Sequence, residues 1–414
     1  KRAAALALTA ALVVGMTLPA FAQDWFIENG DISISAGENG NNVTQGSTTK
    51  ENDTDTVIKS NGSSSNTVTI HADEGKTVNV TLDNVNINTS KTGDAAVSVT
   101  GKGDTNIELN GNNTLTSGSG HAGLEHNKTD DSGTLTITDN NNDGKLTANG
   151  GAGSAGIGGG FGNDGQAAIT GGEITASGGS YGAGIGGGRN YNSAGGNGDV
   201  TISGGKITAK GDDHAAGIGG GGDYSDPTNT GNGNVTISGG EITASGGWLG
   251  SGIGGGTFGT GTVTIEGSAV IKDAQGGAGA AGIGGGSYGD GDVKVSGNAI
   301  IANAESARYG SGIGAGQGSL QNNISTVGKV TIEGNAKIEN AKSGYGGSGI
   351  GGGAIGIGNV TIKDNAQIGN AIGGEEGAGI GGGALGTGDV TIEGNVTIEN
   401  AQGGAGAAGI GGGA

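Results

Sequence analysis

The chain has no cysteine and only two prolines among its 414 residues. Without cysteine, its stability cannot come from disulfides or from metal bound through thiolates. The scarcity of proline and the lack of a Gly-X-Y period exclude a collagen triple helix. Aromatic residues make up only 3% of the chain, which is typical of disorder. The apolar residues are nevertheless regularly phased, and disorder does not explain such a pattern.

Positive charge is also scarce, since 19 Lys and Arg face 39 Asp and Glu, for a net charge of −20. Such a charge repels phosphate backbones and anionic lipid, so we expect neither nucleic acid nor a membrane surface as a partner. After residue 22 the only arginines are Arg189 and Arg308. A basic cluster that could activate a uronic acid is therefore hard to assemble, and no carboxylate pair stands out as general acid and base. We expect a protein that is not an enzyme.

Long apolar runs occur only at the start. Lys1 and Arg2 precede an apolar run that extends to Val14, and Ala20-Phe21-Ala22 follows. This is the anatomy of a secretory signal peptide, which we assign to residues 1–22. No later run reaches the roughly 20 residues of a membrane-spanning helix. We therefore expect an extracellular protein, either secreted or on a bacterial cell surface, without membrane insertion in this part of the chain.

Glycine is abundant, with 103 residues against a usual share of about 7%. Much of it lies in a repeated motif, Ala/Ser-Gly-Ile-Gly-Gly-Gly or a close variant. The central isoleucines of the motif are Ile157, Ile185, Ile218, Ile253, Ile283, Ile313, Ile350, Ile380 and Ile410. Their spacing of about 30 residues indicates a solenoid or an array of repeats.

Each repeat contains three short strand candidates. The first alternates, as in Val235-Thr236-Ile237; the second follows a turn, as in Lys206-Ile207-Thr208; the third is the Gly-Ile-Gly segment. We predict an all-β fold, a right-handed single-stranded parallel β-helix with about three strands per coil of roughly 30 residues. Residues 23–150 are expected to form irregular N-terminal coils, continuous with regular glycine-rich coils over 151–414. A single coil buries too little to fold alone, so the ends should fray unless they are capped.

Asparagine is phased as well. One series recurs at Asn298, Asn335, Asn365 and Asn395, and a second at Asn303, Asn340, Asn370 and Asn400. Stacked amides can hydrogen-bond along the axis of a solenoid. We predict two structural asparagine ladders without a chemical role.

Two features point to a binding surface near the motif. Insertions fall at one corner, at 189–198, 222–234 and 317–328, and insertions on one edge of a solenoid often mark its binding side. An aromatic file lies four or five residues before the motif isoleucines, and its members are Tyr181, His214, Trp248, Tyr309 and Tyr345. We interpret this file as a carbohydrate-binding stack. A second file after the isoleucine, with Phe258, Tyr288, Ile355 and Leu385, is expected to be a packing stack.

The motif glycines allow two interpretations. If the isoleucine points inward, the neighbouring glycines point outward and leave bare backbone that a ligand can approach. Alternatively, glycine only permits tight corners.

The turn that contains Asp139, Asn141 and Asp143 is a candidate calcium site, because oxygen ligands alternate there before Gly144. The distal glutamate of a calcium loop is missing, so an enlarged Asx-rich turn is the alternative. His121, Glu125 and His126 are interpreted as structural or solvated residues rather than metal ligands. Outward threonines suggest ice binding, but the neighbouring file mixes hydroxyls with charges, which breaks the flat uncharged array that ice would need.

The chain resembles a known family in the strings that run from Val80 to Val85 and from Leu109 to Leu115, and in the repeated Ala-Gly-Ile-Gly-Gly-Gly. These look like the carbohydrate-binding β-helix family of clostridial and gut-bacterial surface proteins, which is similar in fold to pectate lyases. The resemblance implies calcium-assisted binding of acidic plant polysaccharide without cleavage. Our leading hypothesis is a carbohydrate-binding module or adhesin. The alternatives are a purely structural stalk that spaces a distal domain and a degenerate pectin-type lyase.

Overall fold

A computed structural model describes residues 24–189, 196–223 and 228–414. The predicted signal peptide, residues 1–22, lies outside the described residues. The described chain contains 40 strands and one 3-10 turn, Ile27–Asn29. The strands form three faces that the chain visits in turn, which we number sheet 1, sheet 2 and sheet 3.

Sheet 1 contains the alternating Val-Thr-Ile segments, one strand for each of about thirteen turns. Its strands are Asp24–Phe26, Val57–Lys59, Thr77–Asp83, Asp104–Asn110, Leu135–Thr138, Asp164–Ile169, Gly198–Ile202, Gly233–Ile237, Gly261–Ile265, Gly291–Val295, Thr326–Ile332, Gly356–Ile362 and Gly388–Ile392.

Sheet 2 follows after a tight turn and holds the second strand of each coil. Its strands are Asn86–Asn88, Asn112–Thr116, Lys145–Asn149, Glu173–Ser177, Lys206–Lys210, Glu241–Ser245, Val270–Gly276, Ile300–Ile301, Ala304–Ser306, Lys337–Ser343, Gln367–Ile372 and Thr397–Gln402.

Sheet 3 contains the motif isoleucines. Its strands are Ile32–Ala36, Asn41–Gln45, Thr48–Asp53, Val68–Ala72, Val97–Gly101, Leu124–Lys128, Ile157–Gly158, Ile185–Gly186, Ile218–Gly219, Ile253–Gly254, Ile283–Gly284, Ile313–Gly314, Ile350–Gly351, Ile380–Gly381 and Ile410–Gly411.

Successive coils stack in register with parallel pairing. In sheet 1, for example, Val200 pairs with Val235 and Ile202 with Ile237. Since side chains alternate along a strand, this register sends one column of aliphatic residues inward on each face. One typical coil buries Val235, Ile237, Ile242, Ala244 and Ile253 almost completely. The predicted parallel β-solenoid, with three strands per coil of about 30 residues, is confirmed; its right-handedness stays a prediction.

The N-terminal end is capped by an antiparallel meander that the sequence did not reveal. Strands Ile32–Ala36, Asn41–Gln45 and Thr48–Asp53 pair with one another antiparallel, and the first of them also pairs parallel with Val68–Ala72. Val43 in the middle strand is fully buried. The meander therefore covers the open end of the aliphatic core, where an uncapped coil would expose its side chains.

Both asparagine ladders form. In the first, the amide of Asn335 donates to Asn298 at 3.1 Å, Asn365 to Asn335 at 3.3 Å and Asn395 to Asn365 at 3.4 Å. In the second, Asn370 donates to Asn340 at 3.0 Å and Asn400 to Asn370 at 3.3 Å. The second ladder begins differently, because Asn340 donates to the carbonyl of Ala302 and Asn303 donates to Asp273. The first predicted ladder is confirmed in full, and the second is confirmed from Asn340 to Asn400, without Asn303.

Candidate functional site

The chain makes a narrow turn around each motif isoleucine. In the coil of Ile253, the N–H of Ser251 donates to the carbonyl of Gly255 at 3.0 Å, so the arms that enter and leave the turn lie side by side. The leaving arm also bonds the entering arm of the preceding coil, since the N–H of Thr257 donates to His214 at 2.9 Å. We call these stacked arms, represented by residues 246–260 in this coil, the glycine lobe.

The glycines of the motif are buried inside this lobe. Gly254 has φ +130°, and a Cβ built on it would lie 2.1 Å from the carbonyl oxygen of Gly284 in the next coil. A Cβ on Gly256 would lie 1.9 Å from the carbonyl oxygen of Gly221. The interpretation that these glycines leave a strip of bare, accessible backbone is therefore wrong. They are needed because backbones of adjacent coils approach too closely for any side chain.

The lobe gathers most aromatic residues of the protein at its outer edge. Among the described residues, the aromatics outside it are Trp25 and Phe26. Those on it are Phe161, Tyr181, Trp248, Phe258, Tyr288, Tyr309 and Tyr345. Trp248 is the extreme case, with 64% of its surface exposed. Exposed aromatic and aliphatic side chains collected on one edge are typical of an interaction surface.

The predicted aromatic file does not form one continuous stack. Tyr181 stacks on His214 with ring centroids 5.3 Å apart, and Tyr309 meets Tyr345 edge-on at 5.5 Å. Trp248 lies between the two pairs along the axis. The structure thus divides the file into two pairs and one separately exposed indole.

The second file also contributes to the lobe. Phe258 and Tyr288 stack at 5.2 Å, as expected of a packing stack. Both residues, like Ile355 and Leu385, have φ between 56° and 66°. This left-handed corner turns the side chain outward at the same position in each coil, and it leaves Leu385 largely exposed. Only part of this file is packed.

An open depression lies where the two files meet. Its volume is about 390 Å³, and its lining includes Trp248, Ala278, Gly279, Tyr288, Arg308 and Tyr309, with Gln317 at the side. The small Ala278 and Gly279 separate the coil of Trp248 from the coil of Tyr309. We call this depression the aromatic groove.

The charge around the groove is uneven. Arg308 is exposed. In the described part of the chain, no carboxylate oxygen lies within 4.0 Å of its guanidinium nitrogens, so it forms no ion pair there. Burial lowers the pKa of His214, although the nearby Asp213 and Asp223 oppose this effect. The groove therefore combines ring faces with a positive guanidinium, in a chain that is otherwise strongly acidic.

A further cation lies beside the first aromatic pair. The guanidinium carbon of Arg189 lies 4.4 Å from the centre of the Tyr181 ring, and its Nε lies 3.4 Å from the carboxylate of the buried Asp223. A guanidinium above a ring face is attracted by the ring quadrupole. Arg189 is thus engaged within the lobe, unlike the outward Arg308.

The candidate calcium turn is held by its own hydrogen bonds. The N–H of Asp143 donates to Asp139 at 3.2 Å, and the amide of Asn141 donates to Asn110 at 3.2 Å. Glu108 accepts the N–H of Asn140 at 2.7 Å. Over the described ranges, no group of three or more Asp, Glu, His or Cys side chains could hold a metal ion. Calcium binding at this turn stays a prediction.

The histidines near the first lobe coil are separate from each other. His121 bonds the carboxylate of Glu125 at 2.9 Å, and that carboxylate also accepts the N–H of Ala122 at 3.0 Å. His126 is buried, with its Nδ1 3.3 Å from the carbonyl of Gln166. Burial lowers the pKa of His126. This arrangement agrees with the structural interpretation of these residues.

The sequence predicted the individual aromatic residues but missed the groove. Ala278, Gly279 and Arg308 form it together with the rings, and none of them was assigned a role. A signal was present, because in an alignment of the repeats Ala278 occupies the position of Trp248 and Tyr345, five residues before the motif isoleucine. A small residue flanked by coils with large ones marks a depression.

Comparison with known proteins gives one family. Residues 141–161, 168–189, 200–222 and 235–257 are similar to the family described as beta helix repeat. The comparisons with curated proteins and with solved structures gave no match. Within the ranges that the structure describes, no helix is long and apolar enough to cross a bilayer. The four matches agree with the parallel β-helix fold seen in the structure.

Proposed function

We propose that this β-helix repeat protein binds carbohydrate at the aromatic groove, without cleaving it, outside the cell or on its surface. The single observation that carries the proposal is the exposed indole of Trp248 beside a depression of about 390 Å³. The extracellular location rests on the predicted signal peptide.

The groove has the chemistry that sugars need. The apolar face of a sugar ring packs against an aromatic ring, and Trp248 and Tyr309 offer such rings. Arg308 and Gln317 supply hydrogen-bond donors for hydroxyl groups. Ligand sites usually combine apolar walls with a few polar groups that fix orientation, and the groove follows that pattern.

The location of the groove also supports binding. It lies on the lobe, beside the insertion at 317–328, whose Gln317 lines the groove. The predicted insertions at 189–198 and 222–234 lie partly outside the described residues. The coils below are held by continuous backbone ladders and a buried aliphatic core, so the groove rests on a rigid support. Binding residues are commonly carried on loops that a rigid scaffold positions.

Affinity electrophoresis tests the proposal. The protein without residues 1–22 is run in gels that contain polygalacturonate, xylan, a soluble cellulose derivative or no polysaccharide, each with calcium and with EDTA. We expect retardation in at least one polysaccharide gel and its loss in Trp248→Ala. Leu385→Ala is the matched control, since Leu385 is similarly exposed on the lobe but lies outside the groove.

The other outcomes separate the alternatives. Uniform migration in every gel would contradict carbohydrate binding and favour the structural stalk. Retardation that disappears with EDTA would add calcium to the proposal. Unsaturated products from polygalacturonate would show a lyase and contradict binding without cleavage.

A further inference from the structure

Three residues of the groove occupy successive coils at one corner. The N–H of Ala278 donates to the carbonyl of Trp248 at 2.6 Å, and the N–H of Tyr309 donates to the carbonyl of Ala278 at 2.9 Å. Backbone bonds thus place Ala278 between the other two along the axis. The order along the groove is a large ring, a small residue and a second large ring.

This order sets the spacing of the ring platforms. Adjacent parallel strands lie about 4.8 Å apart, so the backbones at Trp248 and Tyr309 are separated by about 9.5 Å along the axis. The coil between them presents Ala278 and Gly279, which line the depression. Along this file two rings flank a gap, while the ring of the middle coil, Tyr288, lies on the other arm of the lobe and stacks on Phe258.

We propose that the groove selects an extended β-1,4-linked polysaccharide that lies along the solenoid axis. Alternate sugar rings stack near Trp248 and Tyr309, and the ring between them lies over Ala278, beside the Gln317 amide that covers Gly279. This inference rests on the carbohydrate-binding function proposed above and adds the linkage class of the ligand.

The geometry of the polymer explains why a β-1,4 linkage fits the groove. In an extended β-1,4-linked chain each ring is turned by about half a turn from its neighbour, so alternate rings present the same face to one side. The distance between such rings is close to two coil spacings. A chain of α-1,4-linked glucose curves instead, so its rings do not match ring platforms on a straight axis.

Polar groups beside the platforms fit the hydroxyls at the edges of such a ribbon. The exposed Arg308 carries five N–H donors. The amide of Gln317 is held by Ser287 at 3.1 Å, which orients it at the side of the groove. Neither contact requires a charged sugar, so the inference covers neutral polymers of this linkage.

Titration calorimetry with hexasaccharides of defined linkage tests the inference. Cellohexaose represents β-1,4 linkage, and maltohexaose represents α-1,4 linkage of the same sugar. We expect cellohexaose to bind at least ten-fold more tightly than maltohexaose. Equal or tighter binding of maltohexaose would overturn the inference.

Ala278→Tyr distinguishes this arrangement from simple stacking on every coil. The new ring would fill the space of the middle sugar, so we expect at least a ten-fold loss of affinity. If one ring per coil were the rule, the same variant would bind more tightly, which would overturn the inference. Ala405→Tyr is the matched control, because Ala405 holds the equivalent position in the last coil, outside the groove.

The two levels of the proposal fail differently. If no oligosaccharide and no polysaccharide binds, the proposed function itself fails. If sugars bind and Trp248→Ala abolishes that binding, but Ala278→Tyr binds as the unsubstituted protein does, only the linkage inference fails. Circular dichroism of each variant confirms that the strands are intact.

Discussion

Gly254 lies directly against the carbonyl oxygen of Gly284 in the next coil, so close that a Cβ on Gly254 would be 2.1 Å from it. The same close approach recurs from coil to coil, since a Cβ on Gly284 would lie 2.0 Å from the carbonyl oxygen of Gly314. The glycine lobe is therefore built by backbone packed on backbone.

Gly254→Ala should destabilise the protein strongly. The residue has φ +130°, where a side chain is strained, and the Cβ would also force the coils apart. We expect a loss of at least about 2 kcal/mol, measured by urea unfolding followed by circular dichroism. Gly62→Ala is the control, since a Cβ at Gly62 would have nothing within 4 Å of it. Equal stability of the two variants would contradict the packing account.

The asparagine ladders predict a graded loss of stability. Asn365→Ala removes two side-chain hydrogen bonds, to Asn335 and from Asn395, whereas Asn298→Ala removes one. At about 0.5–1.5 kcal/mol for each bond, the first variant should lose about twice as much stability as the second. Thermal unfolding of both variants measures the ratio. Equal losses would show that the ladder does not act as a chain of bonds.

Buried His126 predicts a dependence of stability on pH. Burial lowers its pKa in the folded state below the ordinary value of 6.5, so the unfolded chain binds the proton more readily. The stability contribution is complete above about pH 6.5 and is lost as the pH falls towards the folded pKa. The unfolding midpoint in urea should therefore decrease between pH 7.5 and pH 5.5.

Two histidine variants test whether His126 causes this dependence of stability on pH. His126→Gln should weaken the pH dependence, whereas His71→Gln should preserve it, because His71 is exposed. Burial also lowers the pKa of His214. Because His214 is less buried than His126, it contributes a smaller part of the pH dependence of stability. An unchanged pH dependence in His126→Gln would contradict the assignment.

The N-terminal cap predicts a contrast between neighbouring residues. Val43 is fully buried in the middle strand of the meander, and the adjacent Thr44 is exposed. Val43→Asp places an unpaired carboxyl in the core and should cost at least about 3 kcal/mol. Thr44→Asp should change stability by less than about 0.5 kcal/mol. Limited proteolysis checks whether the first coils open in Val43→Asp while Thr44→Asp resists.

The repeated part of the fold was predictable because its signals are local. Alternation in Val235-Thr236-Ile237 sets the inward face, and the regular return of Ile253 and Ile283 sets the coil length. The asparagine ladders followed from the same phasing, because identical residues at a fixed interval must stack in a solenoid.

The lobe and the cap were not predictable in the same way. Glycine has no side chain, so the amino-acid sequence of the motif does not show whether Gly254 faces solvent or the backbone of Gly284. That depends on how closely neighbouring coils approach. The antiparallel pairing of Asn41–Gln45 likewise depends on the open end of the core that it covers. The groove depends on how coils stack as well, because it appears only when the rings of three coils are placed together.

Tryptophan fluorescence tests the central claim, that the aromatic groove is the binding surface, most directly. The chain has two tryptophans, of which Trp25 is 1% exposed and Trp248 is 64% exposed. Acrylamide quenching therefore reports on Trp248. When a polysaccharide that retards the protein is added, we expect protection from quenching and a shift of emission to shorter wavelength. Unchanged quenching and emission, with the polysaccharide bound, would place binding elsewhere and contradict the account.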